Sequence, residues 1–116
     1  MLQLTTLEHF ETLWNGYDAN GNPGPSRFLV WFSAPWCGPC KKIVVADIEE
    51  AAREANIPFF YYCDADINPE TVERAGVRSF PVFILYSRKQ EIGRRAHFDT
   101  TKICQWIRKM GTENPT

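Results

Sequence analysis

The 116-residue chain has almost no net charge: thirteen Lys/Arg against fourteen Asp/Glu leave −1 and a pI near 6.1. No global field exists to hold nucleic acid or an anionic membrane. Four cysteines fall far below the roughly 8–10% that marks a disulfide scaffold. No apolar run approaches the about 20 residues needed to span a bilayer. The first thirteen residues, MLQLTTLEHFETL, hold two acids, no basic cluster and no apolar stretch, so they do not read as a secretory signal. The expected location is cytoplasmic. Neither an internal repeat nor a second domain is visible, so residues 1–116 are read as one domain with a flexible tail from about 111.

What is present is core material. The chain is 44% hydrophobic, with eight Phe, four Tyr and four Trp. A chain this long buries about two-thirds of its unfolded surface. Phe28–Phe32 (FLVWF), Phe59–Cys63 (FFYYC) and Val82–Tyr86 are short apolar runs, as expected of strands covered on both faces. Leu2 and Leu4 alternate around Gln3 in a short leading strand. Thr5 and Glu8 have capping-box spacing ahead of Leu7, Phe10 and Trp14 at helical intervals, and Asn15-Gly16 ends that helix. Tyr17–Arg27, with two Gly and two Pro, is a loop long enough to meet a partner.

Val44, Ile48, Ala51, Ala52 and Ala55 share a helical period, which predicts one helix over 40–55. Ile43-Val44-Val45 argues locally against it, because β-branched side chains lose rotamer freedom there. Asn68-Pro69-Glu70 opens a short helix that Gly76 closes. Glu91–Phe98 reads as a charged edge strand. Asp99 or Thr100 caps a last helix with inner face Ile103, Trp106, Ile107 and Met110. The order β-α-β-α-β-α-β-β-α makes the fold class α/β, a sheet with helices on both faces.

Between the first apolar strand and the following helix stand Trp36-Cys37-Gly38-Pro39-Cys40. Cys37 is expected at the exposed amino end of that helix, where unpaired N–H groups and the helix dipole favour the thiolate, the reactive form. Cys40 lies one turn on, within disulfide reach. Pro39 costs little in a first turn, whose amides lack helical partners. A zinc site is the alternative, but tetrahedral zinc wants four ligands. Cys63, Cys104, His9 and His97 offer no second paired knuckle. A CxxC beside a βαβ pattern is itself a redox signature. A purely structural disulfide does not suit a reducing cytosol.

The chain resembles the thioredoxin family through WCGPC followed by Lys41, through Asp66-Ile67-Asn68-Pro69, and through Gly76-Val77-Arg78-Ser79-Phe80-Pro81. The resemblance implies a mixed central β-sheet flanked by helices. It also implies a protein-disulfide reductase with Cys37 and Cys40 catalytic, supported by Trp36, Gly38, Pro39, Lys41 and Pro81. Trp36, Ser79, Phe80, Pro81 and Phe98 would form the substrate-binding surface, with Pro81 after a cis peptide bond. No bound cofactor and no metal is implied. Electrons would come from a flavin-dependent, NADPH-fed thioredoxin reductase to a monomer that acts on protein disulfides. Two alternatives accompany this reading: a binding or scaffold subunit with weak redox activity, and a disulfide oxidase or isomerase.

Four positions depart from the family pattern. Trp31 and Tyr62 stand where thioredoxins bury an aspartate and a lysine, leaving no side-chain base behind Cys40 and predicting a slower or more pH-dependent resolving step. Val45 replaces a helix-kinking proline, which predicts a straighter helix, and Phe98 replaces a small glycine at the docking surface. Cys63 is expected to be a core thiol and Cys104 partly exposed. Arg88, Lys89, Arg94, Arg95 and His97 make the last hairpin basic, as charged edge strands often are.

Overall fold

A computed structural model describes residues 1–113. In chain order the elements are β1 (Leu2–Gln3), α1 (Leu7–Trp14), β2 (Arg27–Ser33), a 3-10 turn (Pro39–Lys42) and α2 (Val45–Glu54). They continue with β3 (Phe59–Asp64), α3 (Pro69–Ala75), β4 (Val82–Ser87), β5 (Gln90–Arg95) and α4 (Thr100–Glu113). The five strands form one sheet in the order β1-β3-β2-β4-β5. β3 runs parallel to both β1 and β2, while β4 runs antiparallel to β2 and β5. The sheet is therefore mixed, as the order of elements and the family resemblance imply.

β2 lies at the centre and every one of its residues is buried. Successive strand side chains point to opposite faces, so this run feeds two cores. Leu29 and Trp31 pack with α2 and α4 through Ile48, Ala51, Ile103 and Ile107. Phe28, Val30 and Phe32 pack with α1 through Phe10 and Leu13. Truncating one of these fully buried side chains to Ala costs about 2–5 kcal/mol.

The capping rules hold with small shifts. Thr6, not Thr5, caps α1, its Oγ1 accepting the His9 N–H at 3.0 Å. Asn68 Oδ1 accepts the Thr71 N–H at 3.3 Å, Pro69 follows, and Gly76 closes α3 at φ +69°, a left-handed conformation that glycine adopts without strain.

The continuous helix over 40–55 does not form. Ile43 (φ −75°, ψ 127°) and Val44 (φ −90°, ψ 100°) are extended, separating the 3-10 turn from α2. Here the local argument outweighs the period. The extended backbone turns Ile43 into the core, and the Val44 N–H donates to Thr100 Oγ1 at 3.1 Å. The segment is broken rather than straighter.

β5 also ends early, at Arg95 rather than Phe98. His97 Nδ1 accepts the Asp99 N–H at 2.9 Å, and Asp99 Oδ1 caps α4 by accepting the Lys102 N–H at 3.1 Å. Within α4 it is Cys104 that joins Ile103, Ile107 and Met110 in the core, while Trp106 is half-buried at its edge. The helix runs through Gly111 to Glu113, past the expected start of the tail, and the remaining tail residues lie outside those described. Gly111 allows this, since a Cβ there would sit 2.6 Å from Ala55 Cβ, where α4 crosses the end of α2.

Candidate active site

The chain leaves β2 through buried Ala34, whose carbonyl accepts the Cys37 N–H at 3.1 Å. This tight turn delivers Cys37 to the 3-10 turn, where it forms a disulfide with Cys40 across a Cα–Cα distance of 5.3 Å. Pro39 is the first residue of that turn, and the Lys41 N–H donates to Gly38 O at 3.1 Å. The Cys40 N–H donates to Cys37 Sγ at 3.2 Å. Two expectations change here. The donor that reaches Cys37 Sγ is one directed N–H on a four-residue turn, not the end of a long helix. Both cysteines are only 4% exposed, so Cys37 is not the exposed thiol that the sequence suggests.

Trp36 forms the outer wall of the site. It is 66% exposed, yet its Nε1–H donates to Asp66 Oδ1 at 3.2 Å and its ring meets Phe80 edge-on at 5.7 Å. Asp66 is held in turn, its N–H donating to Asp64 Oδ1 at 2.8 Å. Phe80 is half-buried against the core cluster that contains both cysteines. The Phe80–Pro81 peptide bond is cis, with Pro81 buried and Ser79 exposed. Trp36 and Phe80 are thus brought together, and Gly38, Pro39 and Lys41 lie exposed on the turn itself. Phe98 stands apart in the loop after β5, its ring against His97 at 5.4 Å. Sequence reasoning gave no role to Asp66, because a contact spanning thirty residues leaves no local signal.

Trp31 lies in the same core cluster as the disulfide and is paired in register with Tyr62. The two rings meet edge-on at 5.0 Å, and Trp31 stacks on Phe83 at 5.7 Å. The Trp31 Nε1–H is buried without a hydrogen-bond partner. Aromatic packing therefore occupies the positions where the family has an ionised pair.

The other cysteines are set apart from this chemistry. Cys63 is fully buried, and burial, reinforced by Asp64, pushes its thiol up to about 12. Cys104, expected to be partly exposed, is buried in α4 with its Sγ 3.5 Å from Asp47 O, and burial raises its thiol as well. Among the described residues no grouping of three His, Cys, Asp or Glu could hold a metal ion. The basic hairpin also resolves into parts. Arg94 makes two hydrogen bonds to Glu91, at 2.8 and 2.7 Å, and donates to Ala75 O at 2.8 Å, so it closes the end of α3.

Comparison with known proteins agrees with this geometry. The sequence profile of the family described as Thioredoxin matches residues 14–109. Thioredoxin-2 of Saccharomyces cerevisiae is 36% identical over 91 residues, covering 78% of this chain and 86% of that protein. The structure of Fasciola hepatica thioredoxin superposes with a TM-score of 0.74 at 27% identity, over 95% of this chain and 99% of that one. The thioredoxin of Plasmodium falciparum shares the fold, with a TM-score of 0.77 at 23% identity over 94% of this chain and 98% of its own.

Proposed function

The chain belongs to the thioredoxin family and is a thiol–disulfide oxidoreductase acting on protein disulfides, and from that premise we propose that Cys37 is its nucleophile and Cys40 its resolving thiol. The observation that carries this assignment is the hydrogen bond from the Cys40 N–H to Cys37 Sγ. Exposure does not distinguish the two sulfurs, but this donor favours negative charge on Cys37, and a donor to an ionised acceptor is roughly twice as strong as a neutral one.

In the dithiol form, Cys37 thiolate attacks one sulfur of a substrate disulfide. The bond to the other sulfur breaks, and that sulfur leaves as a thiolate. Cys40, having lost its proton, then attacks Cys37 Sγ and displaces the first substrate sulfur. Two electrons pass to the substrate and the Cys37–Cys40 bond re-forms. With Trp31 and Tyr62 behind the pair, the Cys40 proton passes to the departing substrate thiolate or to solvent rather than to a buried carboxylate. Trp36 and Phe80 offer the apolar wall against which the substrate lies. Ser79, just before cis Pro81, offers exposed backbone.

The oxidised protein is returned to the dithiol by a flavin-dependent, NADPH-fed thioredoxin reductase. The protein acts as a monomer in the reducing cytoplasm; among the described residues no helix is long and apolar enough to cross a membrane. Insulin reduction with dithiothreitol as donor tests the assignment. Cys37→Ser is expected to abolish turnover, and Cys40→Ser to accumulate a mixed disulfide with substrate through Cys37. Retained turnover in Cys37→Ser would overturn it.

A further inference from the structure

Among the described residues, Arg27 is the only Lys, Arg, Asp or Glu that is buried, at 4% exposed. It opens β2 on the face where Leu29 and Trp31 meet α2 and α4. The disulfide follows the other end of the same strand. Seven residues of strand, at about 3.3 Å each, put roughly 20 Å between the two places.

A buried cation is normally paired, because an uncompensated charge away from water is costly. Arg27 forms no ion pair among the described residues. Its register partner on β4 is Ser87, whose hydroxyl donates instead to Ser26 O at 2.9 Å. Burial, and after it the positive charge of Arg88, lower the Arg27 pKa. A guanidinium does not give up its proton in a protein, so neutralisation is closed to it. An anion is the compensation that remains.

Arg88 and Lys89 form the two-residue loop between β4 and β5, at φ 49° and 61°. A hairpin loop with both residues left-handed favours Asn-Gly, since a side chain with a Cβ is strained there. Both residues are exposed, and neither forms an ion pair among the described residues. An exposed basic turn serves solubility. That does not account for the covered arginine beside it.

We propose that Arg27 and Arg88, with Lys89 next in the turn, form a binding site for a phosphate dianion, free or as a monoester. The guanidinium fork matches carboxylate and phosphate oxygens alike. Three cations without an acid to answer them favour a dianion over a single carboxylate. Bound by the folded chain alone, the anion stabilises it. The site lies apart from the redox chemistry and does not rest on the cysteine assignments.

Calorimetric titration of the oxidised full chain tests this, with inorganic phosphate and with glycerol phosphate at constant ionic strength. At about pH 8 both are largely dianions. Saturable one-to-one binding is expected. Equal affinity for the two assigns the free ion, and a tighter ester assigns a monoester. Arg27→Met keeps an unbranched stem and removes the charge. It should weaken binding about tenfold or more, the order of one charge-assisted hydrogen bond. Without phosphate it should melt no lower than wild type, since the stranded charge is gone. Arg88→Gly should also fold well, because glycine accepts a left-handed turn, yet bind phosphate several-fold more weakly. Absence of saturable binding, acetate binding as tightly as phosphate, or unchanged affinity in Arg27→Met overturns the site. Insulin reduction should be unchanged in both variants, so these outcomes leave the roles of Cys37 and Cys40 standing.

Discussion

Val45→Pro separates two accounts of the active-site region by sign as well as size. Were residues 40–55 one helix, position 45 would be interior. Proline there would remove an i→i−4 hydrogen bond and clash with the carbonyl at 41, destabilising by about 3 kcal/mol. In the structure Val45 is the first residue of α2, preceded by Val44 at φ −90°, ψ 100°. That is close to the extended conformation favoured before proline. The Val45 N–H is one of the first-turn donors that no helical carbonyl reaches, and Lys41 belongs to the separate 3-10 turn. Restricting the unfolded chain should contribute about 0.4–1 kcal/mol. Losing part of the half-buried valine side chain offsets about 0.5 kcal/mol. The expected net change is a gain of at most about 0.5 kcal/mol, or about 2 °C in Tm for a domain of this size. Thermal and urea unfolding of the oxidised protein measure it. A loss near 3 kcal/mol, or about 12 °C, would refute the broken-helix account.

Two further perturbations probe the interior. Trp31→Phe removes the unpartnered N–H while keeping an aromatic ring between Tyr62 and Phe83. Relief of the unpaired donor, about 1–3 kcal/mol, nearly cancels the lost ring atoms, about 1–2 kcal/mol. The variant should therefore unfold within about 1 kcal/mol of wild type, whereas Trp31→Ala should lose about 3–5 kcal/mol. Equal damage from both would mean that the indole N–H has a partner. Cys63, raised by burial to about 12 when folded, ionises near its ordinary value when unfolded. The unfolded chain then binds fewer protons above about pH 9, so stability falls as pH rises, approaching about 1.4 kcal/mol per pH unit from this thiol alone. Tyr86, also raised by burial, steepens the fall above its own ordinary value of 10.0. Urea unfolding between pH 8 and 11 should give a shallower slope for Cys63→Ala, and an unchanged slope would sink the claim.

Central features of the fold are legible where the sequence carries their cause locally. β2, β3 and β4 announce themselves because burial on both faces requires unbroken apolar runs. α3 does so because Asn68, Pro69 and Gly76 each satisfy or terminate backbone groups within their own turn. The features that escape depend on partners far along the chain. The break at Ile43 and Val44 is supported by Thr100, 56 residues away. Trp36 is fixed by Asp66, 30 residues away. Thr5 and Thr6 have the same chemistry, so the choice of cap between them rests on how α1 meets the sheet. The end of β5 is set by the loop that His97 and Asp99 build, and nothing in the residues before it marks a stop.

The same distinction governs the chemistry behind the disulfide. A buried aspartate and lysine would place charge in the core, and removing either partner alone would strand the other at about 3–5 kcal/mol. Trp31 and Tyr62 avoid that penalty together, and their rings meet in the register that adjacent strands impose. What the substitution removes is a proton acceptor on the inner side of Cys40. Proton release from the resolving thiol must then proceed toward the substrate face, where Trp36, Phe80 and the exposed 3-10 turn lie. The rate of the second exchange step is thereby tied to the leaving substrate thiolate, which takes up the proton more readily the more basic it is. A more basic thiolate is otherwise the poorer leaving group, so across substrates whose departing thiols span a range of pKa the resolving step in this protein should slow less as that pKa rises than in a relative that keeps the buried carboxylate.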